Sequence, residues 1–561
     1  MSASRRFPSR LPLVAGLFLV LVALATAPAG RAEDPPPTAG RKPRLPADGP
    51  VAALSQILGR PTDRSITLSV RSAVGIEAYV EYGTAAGIWS GKTEPRTLAA
   101  GTPVELEIAG LQPNTRYAYR LRTRRAGETA FAEGAACAFQ TQRAPGSTFT
   151  FSLQGDSHPE REGKMFGPAL YAQTLRNVAK DAPDFHLTMG DDFSIDPLIE
   201  RGQLSQAHVD AVYAHQRGYL GLVGSSSALF LVNGNHEQAA GVHLDGTAEN
   251  CAVFAGRARV AHYPLPAPDG FYRGDAQPVE HIGLLRDYYA WTWGDALFVV
   301  LDPYWHCSVL VDSDVGGKRG GKGGKGGRAE DGPGGGEGGG MAGEGGGGRK
   351  AGMSEDGAGG GMGGMGAGDP GEEKGGKRGR DLWDVTLGDA QYQWFRETLE
   401  ASRARYVFVF AHHVLGTGRG AIERAGTFEW GGTDPRGKAT FAEKRPTWEL
   451  PIHQLMVKHH VAVFFQGHDH LFARQELDGV VYQEAPNPAD PTYTAFNRAA
   501  YQSGDLFPNS GHLRVTVSPE TARVEYVRSV VAGDEARAGG RNGDVVFGYT
   551  VKPRSVAAVT K

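Results

Sequence analysis

Phe149-Thr-Phe-Ser-Leu-Gln154 runs directly into Gly155-Asp156-Ser157-His158, and this junction between an apolar run and an acid-histidine motif decides the fold. The run has the composition of a buried strand. Four more junctions of the same build follow. PDFHLTM (183–189) leads into Gly190-Asp191, and ALFLVN (228–233) into Gly234-Asn235-His236-Glu237. RYVFVFA (405–411) leads into His412-His413, and VAVFFQ (461–466) into Gly467-His468-Asp469-His470. In an open α/β sheet the carboxyl ends of the strands face a common crevice, so side chains hundreds of residues apart in sequence can converge there.

The donors at these five ends suit a hard or borderline dinuclear metal site. Asp156, His158, Asp191, Asn235, His412, His468 and His470 offer carboxylate, amide oxygen and imidazole without a thiolate. That set favours Fe, Mn or Zn over Cu(I) or an iron–sulfur cluster. The glycines before Asp156, Asp191, Asn235 and His468 allow a sharp turn and a close backbone approach. A single Gly-Asp or His-His pair is more often an ordinary turn; the ordered set of five carries the inference.

The order Asp-x-His, Gly-Asp, Gly-Asn-His-Glu, His, Gly-His-x-His resembles the calcineurin-like metallophosphoesterase superfamily, over about residues 148–530. The resemblance implies an α/β fold, a four-layer α/β/β/α sandwich, with two metal ions of uncertain identity (Fe, Mn or Zn). It places Asp156, His158, Asp191 and His470 on one metal. Asp191 bridges to a second metal held by Asn235, His412 and His468. His412 is preferred to His413 because the ligand usually comes first in a His-x-Pro pattern, although Val414 replaces the proline. His236, Asp191 and Asn235 form the implied catalytic group. Two cations about 3.5–4 Å apart lower the pKa of a bridging water and neutralise the oxygens of the transition state. His236 then stabilises that state or protonates the leaving alkoxide. Glu237 either orients a neighbour from behind or caps a following helix.

Residues 65–142 alternate apolar and polar in short runs (ITLSVRS, EAYVEYG, PVELEIAG, RYAYRLRTR, CAFQTQ) between Gly, Pro and Asn turns, the pattern of a small antiparallel β-sandwich. Leu111-Gln-Pro-Asn-Thr-Arg-Tyr117-Ala-Tyr119-Arg resembles fibronectin type III-like domains. Such a sandwich ahead of a metallophosphoesterase domain is similar in layout to purple acid phosphatases and their bacterial relatives. Those enzymes carry an iron-binding tyrosine three residues after the bridging aspartate. Ser194 stands there in this chain, so a colourless enzyme is expected.

The expected organisation is a signal peptide over 1–32, a linker over 33–50, the fibronectin type III-like domain over 51–145 and the metallophosphoesterase domain over 146–561. Arg5, Arg6 and Arg10 precede an apolar stretch, Leu11 to Ala25, that is short for a membrane span, with small residues after it. Export to the periplasm or outside the cell follows, with no stable membrane span. Ser4-Arg5-Arg6-Phe7 hints at a twin-arginine route, but Pro8 breaks the usual continuation. A glycine-rich insertion over 316–380 interrupts the catalytic domain; it cannot bury enough apolar surface to offset chain entropy and is expected to be disordered.

The formal net charge of −3 over 561 residues gives no global bias toward nucleic acid or membrane. The expected partner is a small phosphate-ester substrate, and oligomeric state is not legible. Cys137, Cys251 and Cys307 are an odd set; a Cys251–Cys307 disulfide and buried free thiols both stay open. Arg419 either reaches a phosphate oxygen or is solvated, and the stretch from Tyr482 to Pro488 lies where it can approach the cleft. Phosphomonoester hydrolysis is the leading reading. A phosphodiesterase or nucleotidase on the same metal core is the second, and a non-catalytic exported binding or adhesion protein the third.

Overall fold

The computed structural model describes residues 53–311, 381–415 and 418–555. The expected signal peptide, linker and glycine-rich insertion lie outside the described residues.

Two large mixed sheets carry the five junctions. The first has six strands in the order Ala228–Leu231, Phe185–Thr188, Phe149–Gln154, Gly511–Val517, Ala522–Arg528, Val545–Val551. Its first three strands are parallel, and the carboxy-terminal strands join Phe149–Gln154 antiparallel. In the second sheet of eight strands, Ala296–Val300, Tyr406–Phe410, Val463–Gln466 and Val480–Glu484 are successive parallel neighbours. Each of the five apolar runs contains one of these strands.

The period of two along a strand sends alternate residues to opposite faces. Phe149, Phe151 and Leu153 therefore share a core with Phe185 and Phe230 of their own sheet, and with Phe298, Phe408, Phe410 and Phe465 of the other. The Phe151 ring lies 5.1 Å from Phe298 at 87° and 6.3 Å from Phe465 at 82°, edge-to-face contacts that fix the spacing of the two sheets. The opposite faces bury against helices. Leu229 and Leu231 meet Leu175 and Val178 of the helix Pro168–Asp181 and Tyr213 and Leu220 of the helix Gln206–Gly224. Val299, Val407, Val409 and Phe464 meet Phe395 and Leu399 of the helix Gly388–Ala401 and Leu455 of the helix Ile452–Lys458.

The amino-terminal part forms two small antiparallel sheets. Leu54–Gly59, Ser65–Ser72 and Val104–Ala109 make one; Ile76–Gly83 and Arg116–Arg125 lead the other. Ile66, Leu68 and Val70 of the first face Ala78, Val80, Tyr119 and Leu121 of the second in one core. Leu54–Gly59 was not among the expected strands. Its Ser55 and Gln56 spoil the apolar pattern, and its burial comes from packing on the helix Gln206–Gly224.

Arg217 of that helix is fully buried at this junction. Its Nε donates to Ser55 Oγ at 2.9 Å, Nη1 to Ser69 Oγ at 3.0 Å and to the His262 carbonyl, and Nη2 to the Ser69 carbonyl at 2.9 Å. Tyr119 Oη adds a 2.7 Å bond to the Ser225 carbonyl. No disulfide joins the three cysteines; Cys251 and Cys307 are buried and Cys137 is half-buried. Among the described residues no helix is long and apolar enough to cross a membrane.

Candidate metal centre

All five motifs begin where a strand of the two sheets ends, and their loops turn sharply. His158, Asp191, His468 and His470 have φ of 48°, 58°, 80° and 55°, a region that side chains other than glycine rarely occupy. Such strain persists only where the surroundings hold it, and it gathers at functional sites. Gly190 has φ 101°, and a Cβ there would lie 2.6 Å from Gly234 N and 2.7 Å from His412 Nδ1. Only glycine lets the Asp191 and Asn235 loops approach so closely.

The loops bring all seven expected ligands together, and all seven are buried. On one side, Asp156 Oδ2 lies 3.0 Å from His470 Nε2, and His470 Nε2 lies 3.1 Å from His158 Nε2. On the other, His412 Nε2 lies 3.1 Å from Asn235 Oδ1 and 3.2 Å from His468 Nδ1. Asp191 Oδ2 stands between the two groups, 3.6 Å from His158 Nε2 and 3.2 Å from His412 Nε2. Asp191 accordingly shares a compact trio with His158 and His236 and another with His412 and His468, while Asp156, His158 and His470 make a third. His413 belongs to none of these trios; its ring stacks on Tyr304, with Nδ1 3.2 Å from Tyr304 Oη.

These donors fit a cationic group. His412 Nδ1 donates to the Met189 carbonyl at 2.7 Å, so in the neutral ring Nε2 carries a lone pair toward Asp191, Asn235 and His468. Burial works against charge on His412, yet Asp191 and Asp156 outweigh it and push the imidazole up to about 10. The pocket therefore demands positive charge at that position. Burial, together with Arg161 in one case and Arg419 in the other, holds His158 and His468 well below the usual histidine range. Both rings are thus neutral, the form that binds metal. Burial alone would raise Asp191, but His412 and His236 hold it well below the usual carboxylate range.

His236 sits beside the ligands with Nε2 3.8 Å from Asp191 Oδ2, while its backbone N–H donates to Asp191 Oδ1 at 2.9 Å. Its Nδ1 forms a short hydrogen bond with Asp196 Oδ2. Asp196 is fixed in turn by Gln238 Nε2, which donates to Oδ1 at 2.7 Å. Burial opposes the charge on His236, but Asp191 and Asp196 push it up to about 9. Glu237 caps the short turn Asn235–Glu237 that follows the strand and does more besides. Its carboxylate accepts the backbone N–H groups of Asp191 at 3.1 Å, Phe193 at 2.9 Å and Gly234 at 2.7 Å, tying two ligand loops together.

Arg419 is held at the site by protein groups: Nη1 donates to the His468 carbonyl and to Asp469 Oδ1 at 3.3 Å. Asp469 also accepts from Gly420 N and Tyr501 Oη, each at 2.7 Å, and its own N–H goes to Glu484 Oε1 at 2.9 Å. Glu484 lies in the stretch from Tyr482 to Pro488, whose Pro486 carbonyl accepts Gly155 N at 3.1 Å. These two regions brace the ligand loops from behind. Sequence reasoning missed Asp196 and Arg161. The only available signals were an acid five residues after Asp191 and a cation three residues after His158, spacings with no periodicity behind them.

No family model matches the chain, and no curated protein matches it. Among solved structures, the chain is similar to the Plasmodium protein GAP50, the anchor in the inner membrane complex, at 10% identity with a TM-score of 0.36 over 72% of this chain and 89% of that one. It is also similar to the FN5 domain of Drosophila Lar, at 19% identity and a TM-score of 0.12 over 15% of this chain and 89% of that one. The similarity to PhoD covers 91% of this chain and 92% of that one at 13% identity, with a TM-score of 0.55, and it shows that the chain has a PhoD-like mixed α/β fold.

Proposed function

We propose that the protein is an exported, metal-dependent hydrolase of phosphate esters with a dinuclear centre, and that phosphomonoesters are its favoured substrates. The observation that carries this reading is the gathering of seven buried donors at one place, with Asp191 Oδ2 3.6 Å from His158 Nε2 on one side and 3.2 Å from His412 Nε2 on the other, and the two carboxylates drawing positive charge onto His412. Asp156, His158, Asp191 and His470 would hold one ion, and Asp191, Asn235, His412 and His468 the other. Two such ions supply an activated water and neutralise charge on the phosphoryl oxygens.

The chain's own side chains do the rest. Asp196 orients the His236 imidazole through Nδ1 and keeps it protonated. From Nε2, the ring nitrogen facing Asp191, His236 gives its proton to the departing alkoxide. Glu237 fixes the Asp191 and Gly234 backbones so that the donors hold their spacing without rearrangement during turnover.

The two facing sheets with helices on their outer faces support a four-layer α/β/β/α reading of residues 146–561. The two small sheets before them support a fibronectin type III-like domain over 51–145. The test is kcat/KM for an aryl phosphomonoester and its matching diester, with mature protein reconstituted in parallel with Mn, Zn and Fe. A ratio well above one supports the phosphatase reading. A ratio well below one moves the assignment to a phosphodiesterase, and absence of turnover with every metal overturns both.

A further inference from the structure

Arg161 ends the short turn Pro159–Arg161 directly after His158 and stands at the rim of the centre. Its side chain is 26% exposed, whereas the seven donors behind it are buried. Nη2 lies 3.1 Å from His236 Nε2, so the guanidinium overlooks the atom from which a leaving group would be protonated. Its protein partners are poorly matched to five N–H donors. Nε lies 3.3 Å from Glu160 Oε1, an oxygen already facing His158 Nδ1 at 2.8 Å, and Nη1 meets the weak acceptor Met165 Sδ at 3.5 Å. Arg419, the other arginine near the donors, is committed to Asp469 and the His468 carbonyl.

We propose that Arg161 is a substrate-binding residue that grips the phosphoryl oxygens of a phosphate-ester dianion and thereby favours monoesters over diesters. The inference rests on the phosphoesterase reading above and adds to it the side chain that selects the substrate class. A guanidinium fork matches two phosphoryl oxygens at once and stays charged at every working pH. A monoester carries close to two negative charges and a diester one. Coulomb attraction scales with that charge, so loss of the cation costs the monoester about twice as much free energy.

The test compares the full-length metal-loaded protein with Arg161→Met and Arg161→Lys. For Arg161→Met, kcat/KM on an aryl phosphomonoester should fall about 10- to 100-fold, the range for a hydrogen bond to a charged group. On the matching diester it should fall about 3- to 10-fold. Inorganic phosphate, titrated calorimetrically, should bind about 10- to 100-fold more weakly. Arg161→Lys should recover part of each loss by restoring charge without the fork, and bound metal and melting temperature should match the parent.

Unchanged phosphate affinity in Arg161→Met, equal losses on the two esters, or loss of metal would each overturn the proposal. If the parent hydrolyses neither ester yet binds phosphate through Arg161, the phosphoesterase reading falls and the phosphate grip stands. If the parent turns over and Arg161→Met binds phosphate as tightly, the grip falls and the reading stands.

Discussion

Replacing Asp196 with Asn tests whether His236 serves as a proton donor held ready by its neighbour. The substitution keeps shape and volume but removes the charge that meets His236 Nδ1, leaving Gln238 to hold the new amide. In the parent, the imidazole is pushed up to about 9 and is cationic below that value. Metal ions held at Asp191 would offset its contribution, and that of Asp196 would remain. A charge-assisted hydrogen bond is worth about 1.5–3 kcal/mol, so its loss should move the alkaline limb of the kcat profile down by about 1 to 2 pH units. The sign follows from the role. A general acid must hold its proton, so activity disappears as pH rises through the folded value, and Asp196→Asn brings that loss to lower pH. At pH 8, kcat should drop about 2- to 10-fold, whereas at pH 6 the two proteins should be nearly equal. The assay is kcat against pH for an aryl phosphomonoester with a poor leaving group, alongside metal content by mass spectrometry. A uniform fall at every pH, or loss of bound metal, would refute the reasoning and leave Asp196 a structural prop.

Other perturbations separate the remaining parts of the site and fold. His236→Ala should keep both metals and lose about 10²–10⁴ in turnover, because it removes the acid and none of the seven donors. Asp191→Ala should abolish activity and lower bound metal from two ions toward one or none; unchanged stoichiometry in elemental analysis would sink the bridging role. Phe151→Ala should cost about 3–5 kcal/mol in denaturant unfolding, since that ring packs against both sheets. Arg217→Met should cost about 2–4 kcal/mol by the same assay, from buried serine and carbonyl oxygens left without their donor. A loss below about 0.5 kcal/mol would show that the junction tolerates their desolvation.

What the sequence made legible follows from how each feature is written into the chain. Strands buried on both faces read as near-continuous apolar runs, so ALFLVN, RYVFVFA and VAVFFQ announce themselves, and the motif after each lies at its strand's carboxyl end. The seven donors could be named because their order is a pattern. Asp196 and Arg161 meet His236 at Nδ1 and Nε2, and a lone acid or cation leaves no signature in one sequence. Arg419 shows the converse. Its position beyond a strand end offered a phosphate grip or a solvated side chain, and neither reading foresaw its bond to Asp469, a partner fifty residues away. Leu54–Gly59 went unread because Ser55 interrupts its apolar pattern, and the arginine that satisfies Ser55 is one that no local rule connects to it.

The buried Arg217 bears on how the chain is inherited and cut. Its donors are met largely by Ser55 and Ser69 of the amino-terminal sheets, so a fragment beginning at residue 146 would keep a cation in an apolar seat and lose most of its acceptors. Shuffling the amino-terminal sheets away, or nicking the chain between the two parts and letting them separate, would thus unsettle the helix Gln206–Gly224, whose Gln216 bonds Ser157 between two ligands. The amino-terminal sheets thus buttress the candidate site through that helix, and the two parts should melt in one calorimetric transition.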